Sequence, residues 1–383
     1  MSGTLQGARP PAAVVGPDAG PLLRRVARSV HGAVDPAALR AEGVDPAAIV
    51  DFSSNQSPLG AAPGVAAAVA GAVVDAYPDP HAAELGERLA ERHGVEPGQV
   101  VCGNGSTELI RLVAQLSLVP GDTALALTPV FGECEVATAL AGARLEKVML
   151  AHAGPGLGFS CDEQALEDAL ERLAPRLCWL CSPSNPTGAA LPAALVATVV
   201  TAHPGTLFVL DEAYCDLLAE PQWERDSLAA GNLVVLHSMT KYWGLAGLRL
   251  GHAVAAPGTA AALRAAAPPW SVNACAQAAG VAALADLAHH RRSVELLTGE
   301  RDRLAAGLRS LGWTTEPTTA GFFLVYAGDA AALRRDLLAR GCLVRDCASF
   351  GLPGHVRVSP RHPRQNDLLL DAFAALRPPE AAL

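Results

Sequence analysis

The sequence predicts an α/β protein in which a large domain with a mostly parallel sheet is followed by a small α+β domain. Short apolar runs alternate with amphipathic helical stretches between about residues 106 and 255, the rhythm of strands joined by crossover helices. After Trp270 that rhythm gives way to a long helical stretch and then short strands around one helix. The 383 residues, 50% of them hydrophobic, are enough for one large core and a second, smaller one.

Residues 1–50 are expected to be an N-terminal arm. Met1 to about Leu22 mixes Pro, Gly and Ala and has no signal-type apolar core. The large domain is expected over residues 51–268, beginning with an extended lead-in at 51–60. Strands are expected at 124–128, 178–181, 207–210, 233–236 and 251–255, and helices at 106–117, 133–141, 162–174 and 192–202. Strands in this order pair in parallel with helices on both faces, and ligands then bind at the loops after the strand C-termini. The small domain, residues 269–383, is expected to contain a broken helical stretch at 271–311, a helix at 330–340, and strands at 321–326, 342–344 and 355–359.

Charge and cysteine usage exclude several classes. The net charge is −9 and no dense Lys/Arg block occurs, so no nucleic-acid partner is expected. No apolar run approaches the roughly 20 residues of a membrane span. The nine cysteines are odd in number and scattered, so neither a disulfide framework nor a metal ligand set is expected. Cys102 and Cys181 read as small core residues, and the whole as a chain of the reducing cytoplasm.

The 29 basic residues include only two lysines, Lys147 and Lys241. Arginine replaces lysine at most surface sites, but its guanidinium cannot form an imine. Lys241 sits in Ser238-Met239-Thr240-Lys241, followed by Gly247-Leu248-Arg249, directly after an apolar strand. An imine-forming amine is thus flanked by a hydroxyl and a guanidinium suited to a phosphate dianion. Asp211-Glu212-Ala213-Tyr214 follows another strand and offers a carboxylate for a protonated ring nitrogen, with a phenol nearby. Ser182-Pro183-Ser184-Asn185-Pro186-Thr187-Gly188 stiffens a third post-strand loop and presents Asn185. Gly103-Asn104-Gly105-Ser106-Thr107-Glu108 opens a helix whose free amides suit a phosphate. Singly, these segments are also a solvated loop, a helix N-cap, an ordinary turn and an incomplete dinucleotide fingerprint whose third glycine is Glu108.

In this order, each after a strand, the motifs resemble the aspartate-aminotransferase-like enzymes of fold type I, which use pyridoxal 5′-phosphate (PLP). Within them the sequence is most similar to the branch of histidinol-phosphate aminotransferases and threonine-phosphate decarboxylases, from about His31 to Ala375. The resemblance implies that Lys241 is the Schiff-base lysine and Asp211 the partner of the pyridine nitrogen. It implies that Asn185 and Tyr214 hold the phenolic oxygen, that Phe131 stacks on the ring, and that Gly105, Ser106, Thr107, Ser238 and Arg249 hold the phosphate. Tyr77, in Tyr77-Pro78-Asp79, resembles a tyrosine lent across a homodimer interface to the neighbour's phosphate. Arg357, in His355-Val356-Arg357-Val358-Ser359, resembles the arginine that binds the substrate α-carboxylate, and His31 and Asn55 would touch the distal end of the substrate.

The resemblance implies chemistry at Cα of an amino acid, phosphorylated or not, with Lys241 freed to act as a base. The segments 51–60 and 269–274, with His31-Gly32, resemble the decarboxylase, a reading tied to cobalamin biosynthesis. Phe350-Gly351-Leu352-Pro353-Gly354 resembles the aminotransferase instead. Ala33 replaces the second glycine of a His-Gly-Gly segment and Ser57 the second asparagine of Asn-x-Asn-Pro. The expectation is a threonine-phosphate decarboxylase-like enzyme or an aminotransferase. Its alternatives are a histidinol-phosphate-type aminotransferase and a relative with a divergent substrate. A ligand-sensing module without catalysis is the contrasting class, and loss of the lysine, aspartate or phosphate ligands would have marked it; all are present.

Overall fold

The computed structural model describes Ser29 and residues 32–379. The large sheet has seven strands: β2 (Val100–Gly103), β3 (Thr123–Thr128), β4 (Arg144–Met149), β5 (Leu177–Cys181), β6 (Leu207–Asp211), β7 (Leu233–Ser238) and β8 (Gly251–Ala255). Their spatial order is β2-β8-β7-β6-β5-β3-β4, parallel from β7 through β4, with β8 antiparallel to both its neighbours. The strands of the middle read as continuous apolar runs because helices cover both faces. Trp179, Val209 and Val234 pack into one layer, and Cys178, Leu180, Phe208, Leu210 and Val235 into the other. The five expected strands are present. The two edge strands, β2 and β4, were not foreseen: β4, Arg-Leu-Glu-Lys-Val-Met, has neither an apolar run nor a clean alternation, and β2 is four residues long.

A smaller sheet of β9 (Phe323–Tyr326), β11 (Arg345–Asp346) and β12 (His355–Val358) runs in the order β9-β12-β11, all antiparallel. It packs on Leu304, Leu308, Trp313, Leu369 and Phe373. The long helical stretch is two helices, Ala274–Ala285 and Leu287–Ser310, hinged at Asp286, which ends the first and caps the second through His289 N–H at 2.9 Å.

Two contacts cross the division expected at residues 50 and 268. The short strand β1 (Val50–Asp51) pairs in parallel with β10 (Cys342–Leu343), and Phe52 is wholly buried in the smaller core. Conversely, Ala276, Ala279 and Ala283 of the first helix pack with Leu85, Leu89 and Leu250 of the larger body. Among the described residues no helix is long and apolar enough to cross a membrane.

Candidate active site

A cavity opens at the C-terminal ends of β5, β6 and β7, where a parallel sheet leaves its loops free to converge. Its walls are Ser106, Thr107, Phe131, Cys181, Asn185, Asp211, Ala213, Tyr214, Ser238, Thr240, Lys241 and Arg249. Nine of the residues singled out for the cofactor therefore meet here; Cys181, Ala213 and Thr240 join them.

The anion-binding end is built by close approach. Gly105, at φ +73°, precedes the helix Ser106–Ser117, and a β-carbon there would sit 2.8 Å from Arg249 Nη2. Gly251 is equally constrained, because its β-carbon would lie 2.5 Å from the Ser106 amide nitrogen. Glycine at both positions brings a guanidinium and a helix N-terminus to one point, where negative charge is favoured. Ser238 Oγ and Thr240 Oγ1 stand 2.7 Å apart beside it. At the opposite end Asp211 closes β6, with Oδ1 accepting from Ala213 N–H at 3.0 Å. Burial pushes the Asp211 carboxyl up to about 6, although the Ala213 amide and the charge of Lys241 act against it. Such a carboxylate is stabilised by a cation brought against it. Lys241 Nζ stands 5.6 Å from the centre of the Tyr214 ring.

An anion cradle, a primary amine, a buried carboxylate, an aromatic ring and two polar side chains, Asn185 and Tyr214, are together the donor set that PLP requires: for its phosphate, aldehyde, ring nitrogen, ring face and phenolic oxygen respectively.

Arg357, on β12, is buried and enters from the smaller sheet. Its Nη1 donates to Asn185 Oδ1 and its Nη2 to the Ser53 carbonyl at 2.5 Å. Gly32 lies against the same guanidinium: a β-carbon there would meet Ser53 O at 2.5 Å and Arg357 Nη2 at 3.0 Å. Ala33, at φ +126°, donates its N–H to Ser53 Oγ at 3.1 Å. Asn55 is buried with neither Nδ2 nor Oδ1 hydrogen-bonded among the described residues. Ser57 N–H donates to the Lys241 carbonyl, and Ser57 Oγ lies 2.5 Å from Ser293 Oγ. His31 lies outside the described residues. Tyr77 is not in this cavity; it is 79% exposed and stacks on Trp270, ring centres 4.3 Å apart.

Two arginines were missed. Arg345, on β11, stands opposite Arg357 in the sheet register and donates to Ser349 Oγ at 2.8 Å. Arg361 gathers the carbonyls of Asp51, Ser54 and Gln56. Arg345 falls just past the strand expected at 342–344 and is followed by Asp346, so no alternation marks it, and nothing local marks Arg361. A cavity of about 430 Å³ lies between Arg345 and residues 32–42, with Ser53 also in its wall.

Residues 47–373 match the model of the family described as aminotransferase class I and II. A histidinol-phosphate aminotransferase of Symbiobacterium thermophilum is 38% identical over 333 residues, 85% of this chain and 90% of that protein. The crystal structure of a histidinol-phosphate aminotransferase from Sinorhizobium meliloti in complex with PLP superposes with a TM-score of 0.78 at 26% identity, covering 89% of this chain and 94% of that one. An L-threonine-O-3-phosphate decarboxylase from Porphyromonas gingivalis gives 0.74 at 27% identity, covering 85% and 98%. Family model, relatives and fold agree with one another: the chain belongs to the class I and II aminotransferases of PLP fold type I, and is a PLP-dependent enzyme.

Proposed function

We propose that this enzyme transfers the amino group of a phosphorylated amine of the histidinol-phosphate class to a keto acid. The reading rests on one feature above the others: two arginines paired in register, Arg357 and Arg345, with Arg357 bridging Asn185 of the cofactor cavity and Ser53 of the lead-in. Burial and the neighbouring Arg357 charge both lower the Arg345 pKa, so the pair favours an anion of high charge. In an amine of this class the phosphate takes the place of an α-carboxylate, and Arg357 is the group that receives it.

In this reading Lys241, Asp211, Asn185, Tyr214, Phe131, Ser238, Arg249 and the amides of Gly105, Ser106 and Thr107 hold PLP. Bound PLP supplies an electron sink for the carbon that bears the substrate amine. Asp211, as a carboxylate, keeps the ring nitrogen protonated. Arg357 fixes the substrate, and Asn55, with two unused polar atoms, meets its distal end. Lys241 Nζ would take the proton from the carbon that bears the substrate amine, the removal that distinguishes amino transfer from loss of CO₂. A homodimer and a cytoplasmic site of action belong to the same proposal. Tyr77, Trp270, Val73 and Val74 leave an exposed apolar surface suited to a second copy, and the nine cysteines are free thiols.

The decarboxylase reading draws on Gly32 against Arg357 and on the Porphyromonas neighbour. Incubating holoenzyme with histidinol phosphate and 2-oxoglutarate, or with O-phosphothreonine alone, separates the two by product mass. Glutamate formed from the first mixture supports amino transfer. Aminopropanol phosphate from the second, without glutamate from the first, overturns it.

A further inference from the structure

We infer that His93, His237 and His252 form a binding site for a zinc-type transition-metal ion, where the end of the helix Ala83–His93 meets β7 and β8. His237 and His252 face each other in register across the antiparallel pair β7–β8, their rings stacked 4.8 Å apart at 18°. His93, the last residue of the helix Ala83–His93, closes over them, its ring centre 4.4 Å from that of His237 and 5.0 Å from that of His252. One ring nitrogen from each lies within 4.8 Å of the other two. The rings border a cavity of about 50 Å³, more than the volume one water requires.

Three histidines packed together without a shared partner are costly. His93 Nε2 and His252 Nε2 lie 2.8 Å apart and can share one proton. That leaves His237 Nε2 and His252 Nδ1 buried with no hydrogen-bond partner. An ion accepting a lone pair from each ring removes part of that cost. Burial keeps the rings neutral, His93 down to about 4, and neutral imidazole is the form that ligates. All three donors are nitrogen, which selects zinc, copper, nickel or cobalt over calcium and magnesium. With bonds of about 2.0–2.1 Å a tetrahedral ion would spread the nitrogens to about 3.3 Å, a small outward shift for His93 on its helix end. The Glu212 carboxylate lies 3.8 Å from His237 Nε2 and, with Cys215, forms a second group of donors around that same histidine. The nearest cation, Arg92, is drawn off by Asp216 at 3.6 Å and by the Trp243 ring at 4.9 Å.

Ser238 lines both this cavity and the one at Lys241, and Glu212 follows Asp211 in the chain, so a bound ion would brace the ends of β6, β7 and β8 from behind. The test uses tag-free holoenzyme dialysed against zinc, then against buffer, with metal counted per chain. One equivalent is expected, with affinity reduced about a hundredfold or more in His93→Gln and in His252→Gln. Cobalt in place of zinc should give the visible bands of a tetrahedral ion. Substoichiometric zinc, or one equivalent that both substitutions leave intact, overturns the site. Should the variants fail to fold, zinc-edge absorption spectroscopy on the unaltered protein decides: three imidazole ligands are expected, and fewer than two refute it.

Discussion

Arg357 Nη1 donates to Asn185 Oδ1, so the central strand of the smaller sheet is joined directly to a loop that walls the Lys241 cavity. A guanidinium in that position can hold a substrate anion only while it keeps its fork of donors. Arg357→Ala should lower kcat/KM by on the order of tenfold to several hundredfold, as expected for one charge-assisted pair in a water-poor site. Arg357→Lys should recover only part of the loss, because a point charge does not reproduce two parallel donors. The cofactor spectrum should persist in both. Steady-state kinetics beside a PLP titration checks this; unchanged kcat/KM for every accepted substrate would place the anion elsewhere.

Borohydride reduction of the holoenzyme should fix the cofactor to Lys241. Lys147 is engaged on the surface with Glu135 at 2.8 Å and should carry none. With two lysines in the chain, peptide mapping gives an unambiguous result.

Asp211 should destabilise the cofactor-free protein. Its carboxyl is pushed up from 3.8 to about 6 by burial. A raised carboxyl pKa contributes stability that is full below 3.8, falls away between 3.8 and about 6, and is absent above. The span corresponds to on the order of 3 kcal/mol. Asp211→Asn apoprotein should therefore melt higher than the unaltered apoprotein at pH 7.5, with the gap narrowing toward pH 5. The same variant should bind PLP more weakly. Melting curves of both apoproteins across that range check the sign, and a lower Tm for Asp211→Asn at pH 7.5 would contradict it.

Ala33 holds φ +126°, a region that disfavours any β-carbon. Ala33→Gly should raise Tm by about 1–2 °C, given strain on the order of 1 kcal/mol offset in part by the freedom glycine adds to the unfolded chain. Ala33→Val should lower it. Differential scanning calorimetry distinguishes this from a relaxed position, where glycine would cost stability.

Tyr77 is exposed, stacks on Trp270 and does not line the Lys241 cavity, and in the proposed homodimer its hydroxyl would serve the other subunit's site. Tyr77→Phe should weaken PLP binding. Mixing it with Lys241→Ala should restore part of the activity of a single intact site. A monomer by analytical ultracentrifugation, or mixtures no more active than their parts, removes that role.

The Lys241 cavity was legible in the sequence where its segments directly follow expected apolar strands, as at Asn185, Asp211–Tyr214 and Ser238–Lys241, because strand ends converge in a parallel sheet. Asp211, Ser238 and Cys181 each occupy the last position of a strand. The substrate side was less legible because it is assembled from residues some 300 positions apart: Ser53 with Arg357, Asp51 with Arg361. The comparisons also favour amino transfer over the decarboxylation toward which residues 51–60 and 269–274 had pointed. His93, His237 and His252 follow no ligand spacing at all; a helix end and a strand register bring them together.

The pairing of Val50–Asp51 with Cys342–Leu343 has a consequence for motion. Phe52 N–H donates to Leu343 O, Ser359 N–H to Phe52 O, and Arg361 grips the carbonyls that follow. Residues 50–56 are thereby fastened to the smaller body, while Ser57 touches Lys241 and Ser293. Any swing of that body would carry Asn55 and Arg357 together as one jaw, with the bend falling near Ser57, beside the reactive lysine.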